Sequence, residues 1–509
     1  MDADVVIVGA GAAGATLATR LSVDPERSVL LVEAGPEIPA GASANLLTTV
    51  SFAATGADWE LRAQVTPERD LDYPQGKCVG GGSSVNGALA LRGAPEDFDR
   101  WAASGCPSWA WSEMLPAFRR LETDLDYGAT SRLHGDDGPV PIVRWHDDEL
   151  VDLQVAFRSG CMAQGMPWVD DHNDPQSTGV GSFPMNRSGG RRMSTALTYL
   201  EGARHRLNLS VWSGTRVLRV ETEGGSATGV TVERNGQLQT VRAREVVVSA
   251  GSIQTPALLW RSGLGPADRL RALGVDPVVD LPAVGANLHD HPGVFYFLAP
   301  GERRVPFSDP QYQLGARYTS AGSGDVNDMF LSMMNYWDLS GSPDFQAQLG
   351  VPSVVVLTCG VHQPRSRGAV SLATADADVA PQVSLNLLDE PEDVSRLVDG
   401  MRRCAALAGH EAMSEFVGSP IQLEGELEDD AAVARHVRSV VAPWYHPVGT
   451  CRMGPADRGD TVVGDDLRVH GVEGLRIVDA SIMPTIPRAP TNLTTIAIGE
   501  RAAELIDGR

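Results

Sequence analysis

Along the 509 residues, short and wholly apolar runs alternate with longer stretches in which apolar side chains return every three or four positions. The first run, Val5 to Val8 in "DVVIVGAG", predicts a strand buried on both faces, since no polar residue interrupts it. Helical spacing follows in "AAGATLATRL", and then a second apolar run, "SVLLVE", ends in Glu33. The run "EVVVSAG" leads into the helical pattern of "GSIQTPALLWRSGLG", and "LRIVDA" is a further strand near the carboxyl end. After it, "TTIAIGERAAELI" repeats apolar residues at spacing three and four and predicts a strong helix. In the middle of the chain, "SVVVLTCGVHQP" and "GAVSLATADADVAPQVSLNLL" alternate as antiparallel strands do. Helices such as "DVSRLVDGMRRCAALAG" are expected to pack on them. There is no internal repeat, low-complexity tract or long linker.

The opening strand, turn, helix and second strand are spaced as a dinucleotide site requires. Gly9, Gly11 and Gly14 give GxGxxG. Gly9 permits a tight turn, Gly11 lets backbone approach a pyrophosphate, and Gly14 allows close helix–strand packing. Glu33 stands where a carboxylate binds adenosine ribose hydroxyls. These features do not separate NAD from FAD. No second copy is found, because "STGVGSF" has neither a strand before it nor a helix after it.

Length implies two or three domains, and 42% apolar with 21% charged residues fits a soluble globular protein. A formal net charge of -23 argues against nucleic acid and against an anionic membrane surface. No signal-type segment precedes the first strand, and no uncharged apolar run reaches the ~18 residues of a membrane span. The six cysteines are scattered without a CxxC pair, so reduced thiols in a cytoplasm are expected.

More specific chemistry comes from "GKCVGGGSSVNGALALRGAPEDFDRW", "GSIQTPALLWRSGLG", "HPVGTCRMG" and "VDASIMPTIPRAPTNLTTIAIGE". With the first motif, these resemble the signature stretches of the glucose–methanol–choline (GMC) oxidoreductase family over nearly the whole chain. The resemblance implies one FAD and an α/β fold, with a Rossmann-type FAD-binding domain and an inserted α+β substrate domain built on an antiparallel sheet. The FAD domain is expected to collect residues 1–150, 188–296 and 440–509, and the substrate domain 151–187 and 297–439. Gly80, Gly81 and Gly82 are expected to offer backbone N–H groups to phosphate or the flavin edge, with Asn86 hydrogen-bonding a flavin or substrate atom. A plain glycine-rich turn capped by Ser83, Ser84 and Asn86 is the alternative. Some relatives carry, where this chain has Val85, a histidine covalently attached to FAD. Valine has no such nitrogen, so FAD is expected to be non-covalent. By the same resemblance Trp59 lies near adenine, Val217 meets it through backbone, and Asp479 and Ala480 end a strand at the cofactor. Asp479 would equally cap the following turn. The implied cofactor set also takes in Ala12, Ala13, Ala34, Val79, Gly87, Ala88, Ala250 and Leu493.

Oxidising an alcohol needs a base near the flavin, and histidine titrates in the useful range. The resemblance assigns these roles to His446 in "APWYHPVGTCRMG" and Asn492 in "APTNLTTIAIGE". His446 takes or polarises the hydroxyl proton, and Asn492 orients the alcohol oxygen. Asn492 also suits an N-cap of the last helix, whose positive end would then face the flavin. Trp444 and Tyr445 are expected to wall the pocket. "ANLHDHPG" resembles a metal cluster, but His289, Asp290 and His291 on an extended segment point to opposite faces, so no metal is expected. "DDHNDP" and "HGDDGP" read as a turn and a loop, and Cys451 near His446 lacks the surroundings of a nucleophile.

The function implied is FAD-dependent oxidation of a small-molecule alcohol to a carbonyl, with O2 or an electron carrier or quinone as acceptor. The stretch "WAWSEMLPAFRRLETDLDYG" with "HGDDGPVPIVR" is similar to actinobacterial family members associated with mycofactocin, which would favour a carrier-linked dehydrogenase. Cyanohydrin-cleaving lyases of this fold form a further alternative.

Overall fold

In the computed structural model, which describes residues 2–37, 57–341, 343–421, 427 and 429–508, the terminal apolar runs join one sheet. Its strands run in the order Leu209–Trp212, Val29–Val32, Asp2–Val8, Gln237–Val248, Ser226–Arg234 and Thr215–Glu223, with Leu475–Ile477 also beside Gln237–Val248. The pairs around Asp2–Val8 are parallel, and the last three strands in that order form antiparallel hairpins. Val29 to Val32 are each at most 2% exposed, which is why no polar residue breaks that run. The helices Ala12–Leu21 and Thr491–Asp507 pack together beside this sheet. Their approach is close: a Cβ on Gly499 would stand 2.8 Å from the Ala13 carbonyl oxygen.

A second sheet has the order Val417–Pro420, Pro292–Pro300, Ser353–Val361, Met329–Asp338, Leu314–Tyr318, Gly179–Ser182 and Trp168–Val169. All its pairs are antiparallel except the last. The helix Pro391–Ala408 covers one face, where a Cβ on Gly400 would meet the Cys359 sulfur at 2.6 Å. The other face is turned towards a large cavity, so Ser353–Val361 is buried along its whole length.

One expectation changes. The strands Ala369–Ser371 and Gln382–Ser384 do pair antiparallel, but with Arg62–Thr66 and Arg69–Asp72 in a separate four-stranded sheet. Each offers only one buried side chain, too little for a place in the core sheet. "STGVGSF" is itself a strand of the second sheet. The strand Pro292–Pro300 runs across 296/297, and Ala442–Pro443, inside the segment 440–509, pairs with it. Hydropathy marks turns; it does not reveal which distant strand supplies the partner. Among the described residues, no helix is long and apolar enough to cross a membrane.

Candidate active site

A cavity of about 1210 Å³ is lined by both sheets and the segments between them. One end is the glycine turn. Gly9 has φ +99°, and a Cβ there would strike the Ser249 carbonyl oxygen at 2.4 Å. Gly14 would meet the Gly9 oxygen at 2.0 Å, so its missing side chain lets helix and strand close. Nothing stands within 4 Å of a Cβ on Gly11, which faces the cavity with no side chain capping the helix. Glu33 accepts from the amides of Ala10 at 2.9 Å and Gly35 at 2.8 Å, and burial pushes its carboxyl up to about 7 despite these donors. Each oxygen keeps a second lone pair for a ribose hydroxyl. An open helix N-terminus, a glycine floor and a buried acid are the donor set a dinucleotide requires, and the residues fit FAD.

Of the sequence-predicted positions, Gly9, Gly11, Ala12, Ala13, Glu33, Ala34, Trp59, Gly81, Asn86, Gly87, Val217, Ala250, Asp479, Ala480, His446 and Asn492 line this cavity. Gly14, Val79, Gly80, Ala88 and Leu493 do not. They sit behind the wall, where Gly14 permits packing and Val79 and Leu493 fill the core. The amides of Gly80 and Gly81 donate to Ala10 and Cys78 carbonyls, so neither is free for a phosphate. The Asn86 side-chain oxygen accepts from the Ala88 amide at 2.9 Å, which leaves its NH2 and one oxygen lone pair for a ligand. Asp479 accepts from Ser481 and from Gly251 and Thr255, so it ties two turns together and caps the one after it. Asn492 is not the N-cap: Pro490 stands at that position of the helix Thr491–Asp507 without a side-chain capping bond, and Asn492 is the second residue of the helix. Proline offers no side-chain acceptor, so no capping side chain covers the amides of the first turn.

His446 is held at three points. Its amide donates to Asp290 at 2.9 Å, and Asp290 also takes the Tyr73 hydroxyl at 2.5 Å. The chain pairs on either side, with Trp444 donating to the His291 carbonyl and Val448 pairing with His289. Between them Tyr445 has φ +63°, a left-handed conformation that costs a bulky residue free energy and turns the imidazole towards the cavity. His446 Nδ1 lies 3.0 Å from His291 Nδ1, and His291 Nε2 lies 3.1 Å from the Pro487 carbonyl. A carbonyl only accepts, so His291 carries its proton on Nε2 and offers a lone pair at Nδ1. His446 must donate from Nδ1, and its own lone pair is then on Nε2. Burial pushes the His446 imidazole down to about 4 and holds His291 well below the usual histidine range, so both are neutral near pH 7. His362 stacks on His291 at 4.5 Å and Phe330 on His362 at 4.8 Å, which makes a rigid column behind the base.

Opposite the nucleotide end, three strands present alternate side chains to the cavity. Across them run the rows Gly293–Gly360–Phe330, Phe295–Thr358–Ser332 and Phe297–Val356–Met334. A Cβ on Gly293 or Gly360 would stand 2.1 or 2.6 Å from the Trp444 ring, so the paired glycines form the shelf on which the indole rests. Phe183 stacks on Phe330 at 5.8 Å, and Trp337 lies 6.4 and 6.1 Å from Phe295 and Phe297.

The sequence model of the GMC oxidoreductase amino-terminal region matches residues 3–293, and that of the carboxyl-terminal region matches residues 364–499. The chain belongs to the GMC oxidoreductase family. It is 37% identical to the 5-(hydroxymethyl)furfural oxidase of Methylovorus sp. (strain MP688), over 99% of this chain and 98% of that one. It is 33% identical to the oxygen-dependent choline dehydrogenase of Photobacterium profundum, over 99% and 93%. Among solved structures, pyridoxine 4-oxidase from Mesorbium loti superposes with a TM-score of 0.90 at 29% identity, covering 100% of this chain and 99% of the other. GMC oxidoreductases bind FAD, and this member is an FAD-dependent enzyme acting on alcohols.

Within this GMC oxidoreductase, "ANLHDHPG" is where sequence reasoning fell short. Asp290 and His291 support His446, and the chain gives no local signal of a partner more than 150 residues away. His134, the first residue of "HGDDGP", meets Glu122 and Asp124 in a second cluster with the reach of a metal site. Both His134 nitrogens meet carboxylates at 2.9 Å, Nδ1 on Glu122 and Asp124 and Nε2 on Asp171. Burial alone would depress its pKa, yet these partners raise it to about 10, so as an ion-paired group both nitrogens carry protons near pH 7. Arg92 pairs with Glu122, and Arg144 with Asp124 and Asp171, which makes the cluster an ion network. Cys451 is buried and its thiol is pushed well above the usual range, which leaves no thiolate for nucleophilic chemistry.

Proposed function

We propose that this enzyme oxidises the primary hydroxyl of a planar aromatic or heteroaromatic alcohol to an aldehyde, using non-covalently bound FAD and O2. The observation that carries the reading is the enforced tautomer of His446, which leaves a lone pair on the Nε2 atom of a cavity-lining imidazole. Bound FAD supplies the two-electron acceptor for the carbinol hydride. His446 Nε2 accepts the hydroxyl proton, and the imidazolium formed stays paired through Nδ1–H to His291. Asn492, in the first turn of the last helix, offers its amide to the alcohol oxygen, and the positive end of that helix favours negative charge nearby.

The aromatic character of the substrate-side rows supports an aryl alcohol. None of their nine positions carries a carboxylate, and the acid of these strands that lines the cavity, Asp338, stands at the exposed end of Met329–Asp338; a quaternary ammonium such as choline is best held by acids and aromatic faces together. Two of the relatives' names point the same way, one naming 5-(hydroxymethyl)furfural and another pyridoxine, while a third names choline. Two are named oxidases and a third oxygen-dependent, which favours O2 as acceptor and hydrogen peroxide as co-product. Val85 lines the cavity with an aliphatic side chain, which supports non-covalent FAD; acid precipitation should leave the flavin in the supernatant.

The test is anaerobic mixing with benzyl alcohol, furfuryl alcohol and choline. The aryl alcohols should bleach the visible flavin band and air should restore it. Bleaching by choline alone would overturn the substrate class, and bleaching that persists in air until a quinone is added would overturn the acceptor. In His446→Ala, bleaching should slow by roughly 10²–10⁴-fold, the usual contribution of a general base.

A further inference from the structure

We infer that the hydroxyl pair of Ser332 and Thr358 is a distal anchor that selects aryl alcohols carrying a second hydrogen-bonding substituent across the ring from the reacting carbinol. The inference rests on the aryl-alcohol reading and adds a specificity element to it.

The pair occupies the middle row of the sheet face, Phe295–Thr358–Ser332, with Gly293–Gly360–Phe330 on one side and Phe297–Val356–Met334 on the other. Every other position in the three rows is apolar or glycine. Both hydroxyls line the cavity, and their oxygens are 2.7 Å apart. One O–H is used in that bond. The second has only the Ser332 carbonyl at 3.5 Å, too long to satisfy it, and the oxygens keep unused lone pairs. The rung can therefore donate one hydrogen bond and accept another in an otherwise apolar wall, where a polar contact discriminates most strongly.

Its position suits the far end of a small ring. Phe330 and Trp444, 6.0 Å apart and edge to face, wall the stretch beside the His446 column. The rung lies two residues further along the strands, about 7 Å at ~3.3 Å per residue. A ring lying against that wall with its carbinol at His446 would bring a para-like hydroxymethyl, aldehyde or hydroxyl group to the rung. A substrate without such a group would leave the hydroxyls to water.

The experiment compares benzyl alcohol with 1,4-benzenedimethanol as anaerobic flavin reductants in the unaltered holoenzyme and in Thr358→Val, Ser332→Ala and Thr358→Ser. Valine keeps the shape of threonine, and retained flavin absorbance reports folding. The unaltered enzyme should prefer the diol. Thr358→Val and Ser332→Ala should lower kcat/KM for the diol by about tenfold, one hydrogen bond's worth, and leave benzyl alcohol within about twofold. Thr358→Ser should restore the preference. Equal effects on both alcohols, or none, would show an ordinary cross-strand pair and overturn the anchor while leaving the aryl-alcohol reading intact. If neither alcohol bleaches the unaltered enzyme, the parent reading falls and the anchor with it.

Discussion

His446 is made a base by its neighbours. Alone in water an imidazole exchanges tautomers; here the Pro487 carbonyl fixes His291 and His291 fixes His446. Replacing His291 with Asn removes the ring acceptor and frees the unwanted tautomer. We expect kcat to fall on the order of 10²-fold with KM little changed, since the general-base contribution is what is lost. His446 must be neutral to act and burial holds it down to about 4. The acid limb of kcat/KM in the unaltered enzyme should therefore fall as pH drops towards that value, well below the ordinary histidine range. In His291→Asn the limb should move, because a new neighbour faces Nδ1. A purely structural role for His291 would lower expression and leave the limb in place.

Among the elements, the loops around Glu122–Asp124 and 134–144 are joined by charge. His134 has a pKa raised to about 10 by its three carboxylates, against about 6.5 for an unfolded histidine. The stabilisation is fully present below about pH 6.5 and is lost as pH rises towards 10. Asp124 works in the opposite direction: burial would raise it, but His134 and Arg144 bring it to about 2, so its contribution is lost as pH falls through that value. Thermal unfolding between pH 7 and 10 should show a declining Tm in the unaltered protein. In His134→Gln the starting Tm should be lower and the decline flatter; an unchanged slope would remove His134 as the cause. The glycine shelf under Trp444 is another such arrangement, since either glycine given a side chain would lift the indole into the substrate space.

For the molecule as a whole, the two large sheets meet around the cavity, and FAD would contact both. A ligand that binds only the folded state stabilises it by about 2.7 kcal/mol at a hundredfold excess over Kd. Stripping FAD should therefore lower Tm, and adding it back should restore a single transition. Two separate transitions in the holoenzyme, only one of them moved by FAD, would show that the substrate sheet folds independently of the cofactor.

What the sequence determined by itself was whatever depends on residues close together in the chain. The Gly9–Gly14 turn, the strand ending at Glu33 and the last helix are local patterns, and each was legible because its physical cause lies within about thirty residues; His446 was singled out by the family resemblance alone. Contacts between distant segments were decided only by the tertiary structure. It placed Asp290 and His291 behind His446, moved the 369–384 strands out of the core sheet, and spent the Gly80 and Gly81 amides on internal bonds. It also gave Asn492 a site inside the helix in place of the cap. A sequence shows which groups can donate, accept or be buried; which partner each one meets is settled when the chain closes on itself, because hydrogen bonds and packing act over ångströms and take no account of separation along the chain.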